Sequence, residues 1–187
     1  MRPQRIVVAL TGTTSLAWGL SLLRVIGDTS IERHVILTDQ AEAALRREPN
    51  GPQDLRAIGE AQYSEANQAA RVSSGSFLTL GMIVMPCNHE AFTSISMGLA
   101  DNLVHRAADV TIKERRPLVL ATVDLPAAPE VERARGRLSA VPDVMVTNFP
   151  NDGTREQDAF FRGVLDCLRI GLPTTATRRR AADGAAP

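Results

Sequence analysis

The sequence has few of the residues that mark specialised classes of protein. Its 187 residues include only two cysteines, Cys87 and Cys167, without metal-type spacing, so neither a disulfide framework nor a metal site is expected. Aromatic residues make up 4%, and 21 basic residues balance 21 acidic ones, so no overall field favours nucleic acid or a membrane surface. No apolar run is long enough to span a bilayer, and Gly12 interrupts the N-terminal run, unlike a signal peptide. We expect a cytoplasmic protein.

Hydrophobic residues make up 44% of the chain and are gathered in short runs. Four runs have the length and the aliphatic content of buried strands: residues 6–10, 35–37, 82–85 and 118–121. Each is followed by polar turn residues and a helix-like stretch, as in βαβ crossovers. Apolar strands joined in this way imply a parallel sheet covered on both faces. The pattern predicts one α/β domain over residues 1–172, a three-layer sandwich with a central parallel sheet, followed by a disordered tail over 173–187.

The remaining elements are predicted from periodicity and composition. Helices are expected over residues 15–26, 39–47, 101–110, 127–138 and 154–170, and an Ala- and Glu-rich composition predicts another over 54–71. Residues 142–147 form a possible last strand. Apolar residues along 94–103 and 160–170 exceed what one small sandwich covers, which predicts oligomerisation.

Polar residues follow the predicted strands at their carboxyl ends, where parallel sheets bind ligands. Gly12, Thr13 and Thr14 open a helix and would suit a phosphate, although an ordinary turn has the same pattern. The absence of GxGxxG favours a mononucleotide over a dinucleotide. Thr38 would either face a ligand or cap the next helix. His89, in the loop 87–90, is a possible acid or base, but a lone histidine there is more often a surface residue.

Several motifs together resemble those of the flavin prenyltransferase family, the UbiX-like proteins. The matching stretches are 10–15 (LTGTTS), 18–19 (WG), 74–76 (SGS), 86–87 (PC), 101–103 (DNL), 106–110 (RAADV) and 113–118 (KERRPL). The likeness covers roughly residues 5–126, and its last two motifs are the most specific. The resemblance implies a flavodoxin-like, Rossmann-like fold, FMN as cofactor and a homo-oligomer, usually a dodecamer. It also implies transfer of a dimethylallyl group from dimethylallyl phosphate to reduced FMN, which makes the prenyl-FMN of UbiD-type decarboxylases.

The resemblance also implies roles for individual residues. The implied cofactor contacts are Gly12, Thr13, Thr14, Thr38, Ser74, Ser76, Asn88, His89 and Arg106. The implied catalytic residues are Glu48 near the prenyl group, Lys113 at its phosphate, and Ser74. Ser74 and Ser76 would lie near the isoalloxazine ring. Four cations, Arg106, Lys113, Arg115 and Arg116, lie close together in sequence, and a surface ion-pair cluster is the simpler explanation for them.

The sequence departs from the family pattern where the family binds the prenyl phosphate. Val123 stands in place of an arginine that grips the substrate phosphate, and the only tyrosine of the chain is Tyr63, far from the family's phosphate-binding tyrosine. The family loop P-C-S-x-x-T becomes residues 86–91 (PCNHEA), without its two hydroxyls. The flavin contacts are therefore better preserved than the prenyl-phosphate contacts. Two alternatives stay open: a flavin-binding or partner subunit without transferase activity, and a flavin-dependent decarboxylase that uses His89 or Glu90.

Overall fold

The fold is organised around one parallel sheet. The computed structural model describes residues 3–48, 52, 55–149 and 154–171. Its strands are β1 (Arg5–Leu10), β2 (Glu32–Leu37), β3 (Ala61–Ser64), β4 (Met82–Cys87), β5 (Leu118–Thr122) and β6 (Val144–Asn148). They pair in the order β3, β2, β1, β4, β5, β6, and every pairing is parallel. This is the doubly wound order, with its switch point between β1 and β4. The predicted flavodoxin-like, Rossmann-like α/β class is confirmed.

Helices cover both faces of the sheet. They are α1 (Leu16–Gly27), α2 (Asp39–Arg47), α3 (His89–Ser96), α4 (Leu103–Lys113), α5 (Pro129–Ser139) and α6 (Thr154–Cys167). Along β1, Ile6 and Val8 join the core cluster that also contains residues of α1, α2 and α6, whereas Val7 joins the cluster of α3, α4 and α5. Successive side chains of a strand point to opposite faces, so one apolar run supplies both layers. The four predicted strands and the possible strand near 142–147 are confirmed.

The helix predicted over residues 54–71 is wrong. The described part of this stretch contains a 3-10 turn (Leu55–Ile58), strand β3, and a second 3-10 turn that begins at Arg71. β3 pairs with β2 in register, from His34 opposite Ala61 to Leu37 opposite Ser64. Helix propensity is a weak preference, and pairing with the open edge of β2 outweighs it here.

The apolar residues of α6 do not form the exposed surface that was predicted. Phe161, Val164 and Leu165 are buried in the core, so the oligomerisation argument based on 160–170 is wrong. The other stretch keeps exposed apolar side chains, because Met97 is 58% exposed and Leu99 is 38% exposed. The tail over 173–187 lies outside the described residues. Within the described ranges, no helix combines the length and apolarity needed to cross a membrane.

Candidate functional site

The loops after β1 and β4 contact each other at the switch point of the sheet. The Thr11 hydroxyl lies 3.0 Å from the Pro86 carbonyl oxygen, and it accepts a hydrogen bond of 3.0 Å from the backbone amide of Asn88. Gly12 follows with a φ of +74°, and a Cβ placed there would come within 3.0 Å of the Asn88 Cβ. A glycine suits this close approach, because it adopts a positive φ without strain and has no side chain to meet Asn88.

Thr13 and Glu48 line one broad cavity at this edge. The cavity has a volume of about 660 Å³, and its other lining residues are Gln40, Ala43, Ala44 and Arg47. Glu48 is the C-cap residue that follows α2, and its backbone amide donates to the Ala44 carbonyl. The structure therefore brings a predicted cofactor contact and a predicted catalytic residue together. Arg47 had no role in the sequence-based site, although a cation beside Glu48 is chemically important for a phosphate leaving group.

A second, smaller cavity of about 70 Å³ lies beside the first, and we call it the cap pocket. Three of its lining residues are helix N-caps: Thr38 of α2, Asn88 of α3 and Asn102 of α4. Each side chain accepts a hydrogen bond from a first-turn amide of its own helix, over 3.0–3.2 Å. Three helix N-termini, each with partial positive charge, therefore converge on one small cavity. Thr38 both caps a helix and faces a cavity, so the two interpretations of this residue are compatible.

The cap pocket also contains ionisable side chains that the sequence did not single out. His105 is 4% exposed, and its Nδ1 has no hydrogen-bond partner among the residues that the structure describes. Burial lowers the pKa of His105, while the carboxylates of Asp101, Glu90 and Glu65 oppose that shift. The Glu65 carboxylate accepts from the Asp39 amide and from Asn102 Nδ2, each at 2.8 Å.

These residues were missed for identifiable reasons. Glu65 lies in the stretch wrongly predicted as a helix, where a glutamate is expected to be exposed to solvent. His105 lies on an apolar helical face, where a histidine is usually a core residue. The signal that could have found His105 is its place three residues after the N-cap Asn102.

Not every polar group at this edge is reactive. Cys87 is fully buried, and burial raises the pKa of its thiol far above the ordinary value. The thiol therefore stays protonated and is not a nucleophile. His89 and Glu90 are both exposed in the first turn of α3. Across the described ranges, no group of three or more His, Cys, Asp or Glu residues could hold a metal ion.

Several predicted site residues lie at the other edge of the sheet. The hydroxyls of Ser74 and Ser76 are 2.9 Å apart, in the loop before β4, where Arg116 donates to the Gly75 carbonyl. Lys113 lies in the last turn of α4, where it forms an ion pair of 2.7 Å with Asp109. The α-helical rise separates this turn from the N-cap of α4 by about 16 Å. One chain therefore does not bring Ser74, Ser76 or Lys113 to the cap pocket.

The positions that depart from the family pattern are also located. Val123 follows β5, and its amide lies 3.4 Å from the Cys87 carbonyl, next to the loop that contains Asn88. Arg106 is exposed on α4. The Tyr63 hydroxyl lies 3.0 Å from Nδ1 of His34, and Tyr63 is not among the residues that line the cap pocket. Tyr63 therefore does not replace the missing phosphate-binding tyrosine.

Comparison with known proteins agrees with this fold. The profile of the flavoprotein family matches residues 1–133. The mitochondrial flavin prenyltransferase PAD1 of Saccharomyces cerevisiae is 42% identical over 126 residues, which are 67% of this chain and 52% of the yeast protein. The chain thus spans about half the length of this curated relative.

Two solved structures are similar over nearly the whole chain. The crystal structure of AnUbiX (PadA1) in complex with FMN and dimethylallyl pyrophosphate has a TM-score of 0.80 and 32% identity, covering 90% of this chain and 94% of that one. The dodecameric FMN-dependent UbiX-like decarboxylase of Escherichia coli O157:H7 has a TM-score of 0.81 and 31% identity, covering 91% and 97%. The chain belongs to the flavoprotein family, and within that family it is similar to the UbiX-like flavin prenyltransferases.

Proposed function

We propose that the chain binds FMN and transfers a dimethylallyl group from dimethylallyl phosphate, or a related small phosphate ester, to reduced FMN. The observation that carries this proposal is the meeting of the Gly12 loop, Thr38 and Asn88 at the switch point, beside the cavity that contains Glu48. The similarity to a structure that binds FMN and dimethylallyl pyrophosphate supports it.

The residues at this edge fit a phosphate-bearing flavin. Gly12 would let the phosphate or ribityl chain approach the backbone, and the exposed hydroxyls of Thr13 and Thr14 would donate hydrogen bonds. Thr38 and Asn88, at two helix N-termini, would add partial positive charge to the phosphate site. The reduced flavin supplies the ring atoms to which the prenyl group is joined.

The broad cavity has the groups that the transfer requires. Ala43 and Ala44 offer apolar surface to the prenyl chain, and Arg47 offers a cation to the departing phosphate. Glu48 is the carboxylate that lines this cavity with them, and it can accept or return a proton at its side-chain oxygens. Holding these groups around one cavity positions the reactants and lowers the entropic part of the barrier.

The separation of the predicted site residues supports a site shared between copies of the chain. Ser74, Ser76 and Lys113 lie at the opposite edge of the sheet, so we propose that a neighbouring copy supplies them in a homo-oligomer. Exposed Met97 and Leu99 give apolar surface for such contacts. The dodecameric E. coli neighbour makes a dodecamer the assembly we propose. Light scattering at micromolar concentration that reported only monomers would contradict this assembly.

A client and a location complete the proposal. A UbiD-type decarboxylase would use the prenylated flavin, and both proteins would act in the cytoplasm. The two cysteines are free thiols in the structure, which is compatible with a reducing compartment. A pull-down that recovers no decarboxylase, together with a decarboxylase that needs no flavin from this protein, would contradict the client.

We expect the phosphate end of FMN to be sensitive to charge at Asn88. Serine and aspartate both cap helices well, so Asn88→Ser and Asn88→Asp should keep the melting temperature of the wild type. Asn88→Ser should bind FMN within about threefold of wild type, whereas Asn88→Asp should bind it at least about tenfold more weakly because its carboxylate would repel the phosphate. Fluorescence titration with FMN, and with riboflavin as the ligand without phosphate, measures the difference. Equal FMN affinity of both variants would contradict the placement of the phosphate.

A further inference from the structure

We propose that His105 is a proton-accepting ligand for the phosphate of the flavin in the cap pocket, and that Glu65 opposes phosphate binding there. This inference rests on the proposed function and adds a residue pair outside the motifs that define the family likeness. The inference predicts that the affinity for FMN depends on pH, whereas the affinity for riboflavin does not.

The first support is the unpartnered ring nitrogen of His105. Buried polar side-chain atoms are nearly always hydrogen-bonded, so a buried Nδ1 without a partner indicates a place for a ligand atom. The backbone amide of His105 donates to Asn102 Oδ1, which fixes the residue at the first turn of α4. His105 is one of the residues that line a cavity of about 70 Å³, which suits a small polar group.

The second support is the chemistry of the pocket walls. Three N-capped helices begin here, and helix N-termini favour anions. The Glu65 carboxylate is an anion already held here, because it accepts hydrogen bonds from the amide at the start of α2 and from the Asn102 side chain. The protein thus holds one anion of its own at the place where a phosphate would gain most.

The third support is the balance of charge around His105. The carboxylates that face it are Asp101 before α4, Glu90 of α3 and Glu65 after β3. A phosphate monoester carries up to two negative charges near neutral pH, and these carboxylates would repel it. A proton on His105 would offset part of this repulsion and would place an N–H donor against a phosphate oxygen.

The sign of the pH dependence follows from the two states of the histidine. In the free protein, burial keeps the His105 pKa below its ordinary value, so the ring is neutral at neutral pH. A bound phosphate adds negative charge and raises that pKa, so binding takes up at most one proton. FMN binding should therefore weaken as the pH rises between the two pKa values, by at most about tenfold per pH unit.

Titrations with FMN and with riboflavin between about pH 6 and pH 9 test the role of His105. In wild type, the FMN affinity should fall across this range by at least about tenfold more than the riboflavin affinity. His105→Gln keeps a side chain that forms hydrogen bonds but cannot take up a proton. This variant should lose most of the extra slope and leave riboflavin binding within about twofold of wild type.

A second pair of variants tests Glu65. Glu65→Gln removes the competing charge and should tighten FMN binding at pH 8 by at least about threefold, with no change for riboflavin. Glu130→Gln is the matched control, since Glu130 is an exposed first-turn carboxylate of α5 that does not line the cap pocket. It should leave both affinities unchanged.

Three outcomes would overturn the inference. An FMN profile of His105→Gln with the wild-type slope would remove His105 as the proton acceptor. Equal pH slopes of the FMN and riboflavin affinities in wild type would show that the phosphate does not cause the pH dependence. Nitrogen-15 spectra of the histidines in which no ring raises its pKa on adding FMN would do the same. FMN binding without pH linkage defeats this inference alone, whereas no FMN binding at any pH defeats the proposed function as well.

Discussion

At the scale of single residues, two glycines let backbone segments approach more closely than any side chain allows. Gly12 brings the loop after β1 against Asn88, and Gly19 lies in α1 where the helix crosses the end of β4. A Cβ at Gly19 would meet the Met85 carbonyl oxygen and the Leu10 side chain at less than normal contact distance. These contacts hold α1, and thus the loop before it, close to the sheet.

We expect opposite effects of alanine at two helical glycines. Gly19→Ala should lower the free energy of unfolding by about 2 kcal/mol, because its methyl group would be forced against backbone atoms. Gly136→Ala, in α5, should raise it by about 0.5–1 kcal/mol, because nothing lies within 4 Å of the added Cβ and alanine favours the helix. Thermal unfolding of both variants measures the contrast. A stabilising Gly19→Ala would mean that α1 is packed less tightly than the structure indicates.

The sequence could predict where residues with a local signature lie, but not which residues contact one another. Gly12 and Thr38 were predicted at the carboxyl edge of the sheet because they come within two residues of the end of an apolar strand, and the structure has them there. The ring of His105 is important because Glu90, Asp101 and Glu65 surround it, and these come from three separate segments. No short stretch of the sequence contains all of these residues together.

At the scale of elements, β3 is the part of the fold that composition misrepresents. Its residues favour a helix, yet an ionic contact holds its start against β2. Arg33 donates to the Glu60 carboxylate through Nη2 at 2.6 Å and through Nε at 3.1 Å. The edge position of β3 also places Glu65 at the end of the strand, next to the start of α2. The strand therefore contributes directly to the cap pocket.

The ion pair predicts how stability depends on pH. Hydrogen bonds from Arg33 lower the pKa of Glu60 from 4.5 to about 2. The ionised carboxylate therefore contributes stability that is present above pH 4.5 and is lost as the pH falls towards about 2. Because Glu60 is partly exposed, solvent screening limits the contribution to about 1 kcal/mol.

The glutamine variant isolates this contribution. Glu60→Gln should be about 1 kcal/mol less stable than wild type near pH 7, and the difference should shrink towards pH 2. Glu42→Gln is the control, since Glu42 forms an exposed ion pair with Arg46 within α2 and should cost no more than about 0.5 kcal/mol. Urea unfolding at several pH values measures both. A difference for Glu60→Gln that does not change with pH would contradict the ionic origin of the effect.

The main strands could be predicted because parallel strands buried on both faces are continuous apolar runs. β3 could not, since an edge strand is stabilised by its partner rather than by its own residues. This error hid Glu65, and no local pattern indicates which loops meet at the switch point.

At the scale of the whole molecule, the predicted site residues are divided between the two edges of the sheet. Gly12, Thr38 and Asn88 lie at the carboxyl edge, and Glu48 shares a cavity with Thr13 of that edge, while Lys113 lies at the amino edge. This division could not be predicted from the sequence, because the order of the motifs along the chain does not show at which edge of the sheet each motif lies. The division is what makes an assembly of several copies part of the proposed function.

The central claim is that this carboxyl edge supports prenyl transfer to FMN despite a damaged phosphate site. The direct measurement is the mass of the flavin after wild type, Val123→Arg and Val123→Gln are each incubated without oxygen with reduced FMN and dimethylallyl phosphate. Val123 stands beside the Asn88 loop, so an arginine there would give the substrate phosphate a charge-assisted contact. We expect a small yield of prenylated flavin from wild type, at least about tenfold more from Val123→Arg, and no gain from Val123→Gln. No prenylated flavin from either wild type or Val123→Arg, although both bind FMN, would contradict the claim.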